Sequence, residues 1–416
     1  MEDVNEKVNI VLSERTKYYI DREEKYSAHN YHPLPVVLNK GEGVYVWDVD
    51  GKRYYDFLSG YSAVNQGHCH PHIIQALTDQ AALLTLTSRA FHSDVFGEYA
   101  EFLTKTFGFD KMLPMNSGAE AVETAIKIAR KWGYQKKGIA QNRAKVITAS
   151  ENFHGRTINI VSFSTDETAK NDFGPFVEGY VTVPYNDLEA LGNALQDKDV
   201  VAFLVEPIQG EAGVVVPDEG YLAKAFALCQ ENNVLFIADE IQTGLCRTGK
   251  LLACDYEDVH PNMLILGKAL SGGTMPISAV LADDEVMLCL KPGEHGSTYG
   301  GSPLASKVAI ASLQVLLEGN MADNAYKMGV YFRERLKAIQ HPYIQEIRGK
   351  GLLNALVIQH ENDNAAWDLC LLLKEKGLLA KPTHGNKIRF APPLVITKEQ
   401  IDECLAIIEQ CLNLLD

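Results

Sequence analysis

From about residue 71 to residue 310, stretches with an apolar residue every three or four positions alternate with short apolar runs. The runs are Val146 to Ala149, Val200 to Val205, Val234 to Ala238, Leu264 to Leu266 and Ile277 to Leu281. The first pattern is that of helices burying one face, and the second that of strands buried on both faces. Their alternation predicts an α/β unit with a largely parallel sheet between helical layers, in which ligands gather at the carboxyl ends of the strands. Residues 1 to 30 are polar and helix-prone, and His32-Pro33-Leu34-Pro35 ends any helix there, because proline disfavours the helical backbone of its predecessor. Val44 to Asp48 and Lys52 to Phe57 flank Val49-Asp50-Gly51 and predict a hairpin. Beyond residue 310, two helical stretches, a strand over Leu352 to Ile358, a helix near 365 to 376, a strand near 387 to 391 and a helix from Thr397 predict an α+β tail. The expected organisation is an N-terminal arm and small β unit (1–57) packing with a C-terminal small domain (311–416), and a large ligand-binding domain between them (58–310).

Composition narrows the class. With 46% hydrophobic and 22% charged residues over 416 positions, disordered, collagenous and coiled-coil chains are excluded. The 39 basic against 54 acidic residues leave a net charge of -15, which opposes a nucleic-acid backbone as partner. Eight cysteines without a C-x-x-C pair fit a reduced compartment. No apolar run approaches the ~18 residues of a membrane span. Acidic residues at 2, 3, 6, 14, 21, 23 and 24 are unlike a targeting peptide, so the expected location is cytoplasmic; the mitochondrial matrix would require a presequence missing from this chain.

Two apolar runs each end in a charge: Val234-Leu-Phe-Ile-Ala-Asp239 and, 29 positions on (268 minus 239), Leu264-Ile-Leu-Gly-Lys268. Alone, the first would be a helix cap and the second a surface lysine. Together they pose one electrostatic problem, since an acid and an amine at the ligand edge of a buried sheet are costly without partners. Pyridoxal 5'-phosphate answers both. Its aldehyde condenses with a lysine amine, and its ring nitrogen stays protonated beside a carboxylate. Ser117 and Glu120 have capping-box spacing ahead of an apolar-periodic helix, and Gly118 between them lets backbone N–H groups approach a phosphate. The spacing is not G-x-G-x-x-G, so a dinucleotide site is not supported. Phe153 and Arg156, just past Ala149, could face a planar ring and fork onto a carboxylate, and His295-Gly-Ser-Thr298-Tyr-Gly-Gly is a second polar glycine-rich loop. His68-Cys-His-Pro-His72 has zinc-type donors, but Pro71 suits the first turn of a helix, so no metal is expected.

The motifs Gly67-His-Cys-His-Pro71, Ser117-Gly-Ala-Glu120, Phe153-His-Gly-Arg156, Glu206-Pro-Ile-Gln-Gly-Glu211, Ala238-Asp-Glu-Ile-Gln-Thr-Gly244, Gly267-Lys-Ala-Leu-Ser-Gly-Gly273 and Gly296-Ser-Thr-Tyr-Gly-Gly301 occur in order. Through them nearly the whole chain resembles the class III pyridoxal-phosphate aminotransferases of fold type I. The resemblance implies a mainly parallel seven-stranded sheet in the large domain. It implies Lys268 as the lysine joined to the cofactor, Asp239 at the ring nitrogen, Gln242 at the ring hydroxyl and Phe153 against the ring. It also implies phosphate contacts from Ser117, Gly118 and Ala119, completed by Thr298 of a neighbouring subunit. A homodimer with shared sites would follow, with room for a higher oligomer.

Within the family the chain is most similar to members that take the terminal amine of ornithine and pass it to 2-oxoglutarate. Those members must hold two carboxylates at different distances from the reacting nitrogen. The resemblance implies Arg156 for the distal carboxylate in both half-reactions and Arg389 for the α-carboxylate of glutamate alone, with Glu211 covering Arg389 while ornithine reacts. Breaking a buried pair without a replacement costs roughly 3 to 5 kcal/mol, so the incoming carboxylate must substitute for Glu211. Tyr31 and Tyr61 match positions that contact the ornithine head group. Acetylornithine and 4-aminobutyrate transaminases stand as alternatives, and a non-catalytic member as a remote one. Two residues depart from the family pattern: Cys246 stands where glycine is usual and Ser302 where asparagine is usual. A positive φ at Cys246 would cost roughly 1 kcal/mol.

Overall fold

The computed structural model describes residues 11–415; the first ten residues of the expected arm, with the acidic positions 2, 3 and 6, lie outside them. The strands are β1 (Leu38–Glu42), β2 (Tyr45–Asp48), β3 (Arg53–Asp56), β4 (Lys111–Met115), β5 (Lys145–Ala149), β6 (Tyr180–Val183), β7 (Val200–Val205), β8 (Leu235–Asp239), β9 (Met263–Leu266), β10 (Ser278–Ala282), β11 (Ile344–Lys350), β12 (Leu353–Ile358), β13 (Leu378–Leu379), β14 (Lys381–Thr383) and β15 (Lys387–Phe390).

A seven-stranded sheet in the order β4-β10-β9-β8-β7-β5-β6 forms the centre. Only β10 runs against its neighbours, so the sheet is mainly parallel, as its patterning predicts. Every residue of β7, β8, β9 and β10 is buried, which explains why these four read as unbroken apolar runs. The sequence patterns do not single out β4, β6 or β11. β4 and β6 are edge strands, and β4 contains Pro114, which the sheet tolerates at an edge.

The hairpin β2–β3 forms as expected and extends to a four-stranded sheet with β1 and, in parallel, β13 from the tail. A third sheet, β11-β12-β15-β14, carries the tail's core face. Glu14–Tyr26 is the helix of the N-terminal arm, capped by Ser13. Pro71 occupies the first turn of the helix Pro71–Leu83, and Thr397 with Gln400 forms a capping box on the last helix, Lys398–Leu412. Residue 310 lies inside the helix Pro303–Glu318, so a division of the chain there cuts a helix. One apolar cluster runs from Val44 and Phe57 through Leu264 and Leu313 to Leu394 and Leu415, joining the central sheet to the tail.

The two departures from the family pattern have separate outcomes. Cys246 has φ of 72° and is buried, so the strain is present. Ser302 caps Pro303–Glu318 by accepting from the Ala305 N–H at 3.3 Å, a role open to serine and asparagine alike.

Candidate active site

The site forms where four parallel strands end. β5 leads to Phe153, His154 and Arg156, β7 to Glu206, β8 ends at Asp239, and β9 is followed by Lys268. Asp239 is in register with Ile265 of β9, so Lys268 follows three positions (268 minus 265) beyond that level on the neighbouring strand. Extended Gly267 and a φ of 44° at Lys268 turn the chain sharply out of β9. A non-glycine residue held in that region is strained, and such strain collects at functional sites.

Lys268 lines a cleft of about 390 Å³ with Asn116, Ser117, Gly118, Ser271 and Thr274. Burial lowers the Lys268 amine below its ordinary range; Glu211 opposes that shift and Arg389 reinforces it. A depressed amine has a larger neutral, nucleophilic fraction. Opposite it, the helix Gly118–Trp132 begins with the predicted capping box, in which Ser117 Oγ accepts from the Glu120 N–H and Glu120 Oε2 accepts from the Ser117 N–H at 2.8 Å. A Cβ at Gly118 would stand 2.9 Å from Ile241 Cδ1, so glycine lets this helix end pack closely on Ile241 beside the cleft.

Asp239 is buried and its Oδ2 lies 2.6 Å from His154 Nδ1, while its Oδ1 accepts from the Ile241 N–H. Burial disfavours a charged His154, but the hydrogen bond and charge of Asp239, with Glu206 behind, outweigh it and raise the imidazole. Burial also pushes Glu206 up to about 7, against the pull of His154, and Glu206 Oε2 accepts from the Phe153 N–H at 3.0 Å. The motifs contain His154 and Glu206, yet nothing in the sequence assigns them a role. His154 stands 85 positions from Asp239, and only the sheet order brings them together.

Arg389 of β15 is almost fully buried. Its Nη1 donates to Glu211 Oε1 at 2.7 Å and to Gln242 Oε1 at 2.9 Å, and Gln242 Nε2 donates to Glu211 Oε1 at 3.1 Å. Arg389 Nε is buried with no protein partner among the described residues. The guanidinium carbon lies 4.9 Å from the Tyr61 ring centroid. Burial alone would raise the Glu211 carboxyl; the charges of Arg389 and Lys268 outweigh it and hold Glu211 below its ordinary value. Tyr61 is raised by burial and then by Glu211, and Tyr31 is exposed. Arg156 is exposed, 5.6 Å from the Phe153 ring centroid. Ala119 packs so closely on Gly155 that a Cβ there would stand 2.8 Å from its own. Thr298 is exposed on a loop tied to its own chain through Ser297 and Asn116 at 2.7 Å. Of the three histidines of the 68–72 motif, His68 bonds Asp56 at 2.7 Å and His72 bonds Gln314 at 3.2 Å, while His70 Nδ1 is buried with no protein partner among the described residues.

An amine of lowered basicity, a buried carboxylate at the end of the adjacent strand and a helix N-terminus lining the same cleft fit the aldehyde, ring nitrogen and phosphate of pyridoxal phosphate. The donor set is that of an enzyme handling amines through this cofactor. A family model described as aminotransferase class-III matches residues 26–412, and the chain belongs to that family. It is 62% identical to the mitochondrial ornithine aminotransferase of Drosophila ananassae over 94% of this chain and 90% of that protein. The crystal structure of the ornithine aminotransferase from Toxoplasma gondii superposes with a TM-score of 0.94 at 48% identity, covering 100% of this chain and 99% of that one. That of the acetylornithine aminotransferase from Elizabethkingia anophelis gives 0.90 at 58% identity, covering 96% and 100%.

Proposed function

We infer that this chain is an ornithine δ-aminotransferase that moves the δ-amino group of L-ornithine to 2-oxoglutarate, leaving glutamate 5-semialdehyde, which cyclises to pyrroline-5-carboxylate, and glutamate. The observation carrying this reading is the Glu211–Arg389 pair, covered by Tyr61 and facing Lys268. An ω-amine donor with an α-carboxylate needs a cation that can be hidden in one half-reaction and offered in the other. Bound pyridoxal phosphate supplies the aldehyde that takes up the amine and the protonated ring that draws electrons from the substrate carbon. Lys268 holds the cofactor and, once freed, moves the proton at the reacting carbon. Asp239, oriented by His154, keeps the ring nitrogen protonated. Gln242 serves the ring hydroxyl, Phe153 the ring face, and Ser117, Gly118 and Ala119 the phosphate. Arg156 holds the distal carboxylate and Tyr31 with Tyr61 the ornithine head group.

Thr298 is offered outward, which supports the reading that it completes the phosphate site of a second copy in a homodimer. The cytoplasmic location read from the acidic N-terminus stands against the mitochondrial name of the Drosophila ananassae relative; immunolocalisation in the source cell separates the two.

The second reading, acetylornithine as donor, is favoured by the 58% identity to the Elizabethkingia anophelis enzyme. Assaying the holoenzyme with ornithine, N-acetylornithine and 4-aminobutyrate, each with 2-oxoglutarate, decides between them: ornithine is expected to give the highest kcat/KM, and a preference for either of the others overturns the assignment. Glu211→Gln is expected to lower kcat/KM for ornithine relative to glutamate by roughly 150-fold, the low end of what breaking a buried charge pair costs. An unchanged ratio of the two would remove the switch from the mechanism.

A further inference from the structure

The main chain of Glu211 is held as tightly as its carboxylate, and by the same hairpin. Thr383, the last residue of β14, donates its hydroxyl to the Glu211 carbonyl at 2.7 Å, and His384 Nδ1 lies 2.7 Å from the same oxygen. A carbonyl only accepts, so His384 carries its proton on Nδ1, and the two donors use both lone pairs of that oxygen. His384 has φ of 47° and Gly385 φ of 75°, which makes the tight turn from β14 into β15 and aims the imidazole back at residue 211. β15 then carries Arg389, whose Nη1 takes the Glu211 carboxylate at 2.7 Å. The register Thr383↔Lys387 and Lys381↔Arg389 makes the clamp and the guanidinium parts of one two-stranded unit. On the other side of the loop, Arg348 of β11 donates to the Gly213 carbonyl at 2.8 Å.

We propose that Thr383 and His384 are specificity-determining positioning residues: by fixing the Glu211 peptide on the hairpin that carries Arg389, they confine the ornithine–glutamate alternation to rotation of the Glu211 side chain. This rests on the reading of Glu211 and Arg389 given above. A carboxylate whose main chain wanders loses its alignment with a fixed guanidinium, and Arg389 is then uncovered in the half-reaction where it should be hidden. Both residues lie remote in sequence from Glu211, at separations of 172 and 173, so no local motif shows them.

The test uses the holoenzyme and compares kcat/KM of the ornithine and glutamate half-reactions in Thr383→Val, His384→Asn and the double variant. Thr383→Val keeps shape without the hydroxyl, and asparagine tolerates the left-handed backbone at 384. The ornithine-to-glutamate ratio is expected to fall about 3- to 10-fold in each single variant, the effect of one neutral hydrogen bond, and further in the double. Thr383→Ser should restore it. In a Glu211→Gln background the same substitutions should leave the ratio where Glu211→Gln alone puts it, because they act through that side chain. Thermal melting within a few degrees of the parent shows that the fold is kept. Equal losses in both half-reactions, or a ratio that falls just as far on top of Glu211→Gln, would assign the pair a purely structural role and overturn the proposal. If Glu211→Gln itself leaves the ratio unmoved, the switch reading fails; if it moves the ratio and the hairpin variants do not, only the clamp does.

Discussion

Replacing Lys268 by alanine is expected to lower steady-state turnover by about four orders of magnitude or more, since in the role proposed for it the lysine is both the covalent anchor of the cofactor and the amine that transfers the proton; the proton transfer alone accounts for 10²- to 10⁴-fold. The position offers no substitute. Lys268 leaves β9 through a strained turn at the end of the sheet, and the nearest carboxylates are engaged elsewhere, Asp239 with His154 and Glu211 with Arg389. The purified variant should also lose the visible absorption of a lysine-bound cofactor and yield no lysine adduct by mass spectrometry after borohydride treatment. Turnover within tenfold of the parent would refute the assignment.

Asp239→Asn is expected to retain the cofactor while slowing single-turnover proton abstraction by roughly 10³-fold, because in the proposed role the carboxylate holds a proton on the ring nitrogen and a neutral amide does not. His154 amplifies the effect. In the parent its bond to Asp239 pairs a buried imidazole, raised by that carboxylate, with a buried anion. With the amide in its place the influence that raises the imidazole is lost, and with it part of the local field at the end of β8. Stopped-flow absorbance with excess ornithine reads this step directly, and an unchanged rate would exclude the role.

The sequence makes the centre of the sheet legible and its margins much less so. Strands β7, β8 and β9 are buried on both faces, so their apolar runs speak for themselves. β4 and β6 are half-covered edge strands whose mixed patterns match no single period. The same division holds in the site. Lys268 and Asp239 stand out because each ends an apolar run with a charge, and Ser117 with Glu120 because capping is a local device. His154 against Asp239, Glu206 against the Phe153 amide, and Thr383 with His384 against the Glu211 carbonyl are pairings across 85, 53, 172 and 173 positions. Their signal is topological, and periodicity carries none of it. The resemblance implies different duties for the two arginines, Arg156 in both half-reactions and Arg389 in the glutamate half alone. The structure gives them opposite surroundings, one exposed and the other buried beside Tyr61.

Arg247 lies in the strained loop that begins at Leu245 and Cys246. It is fully buried, and its guanidinium donates to Asn65 Oδ1, to the Leu352 carbonyl at 3.0 Å and to the Pro392 carbonyl at 2.6 Å. One side chain thereby stitches the segment after the N-terminal hairpin, the loop behind Asp239 and two stretches of the tail into a single knot. The loop behind Asp239 is therefore not held by the central sheet alone, because its position depends on segments that lie far before and far after it in the chain.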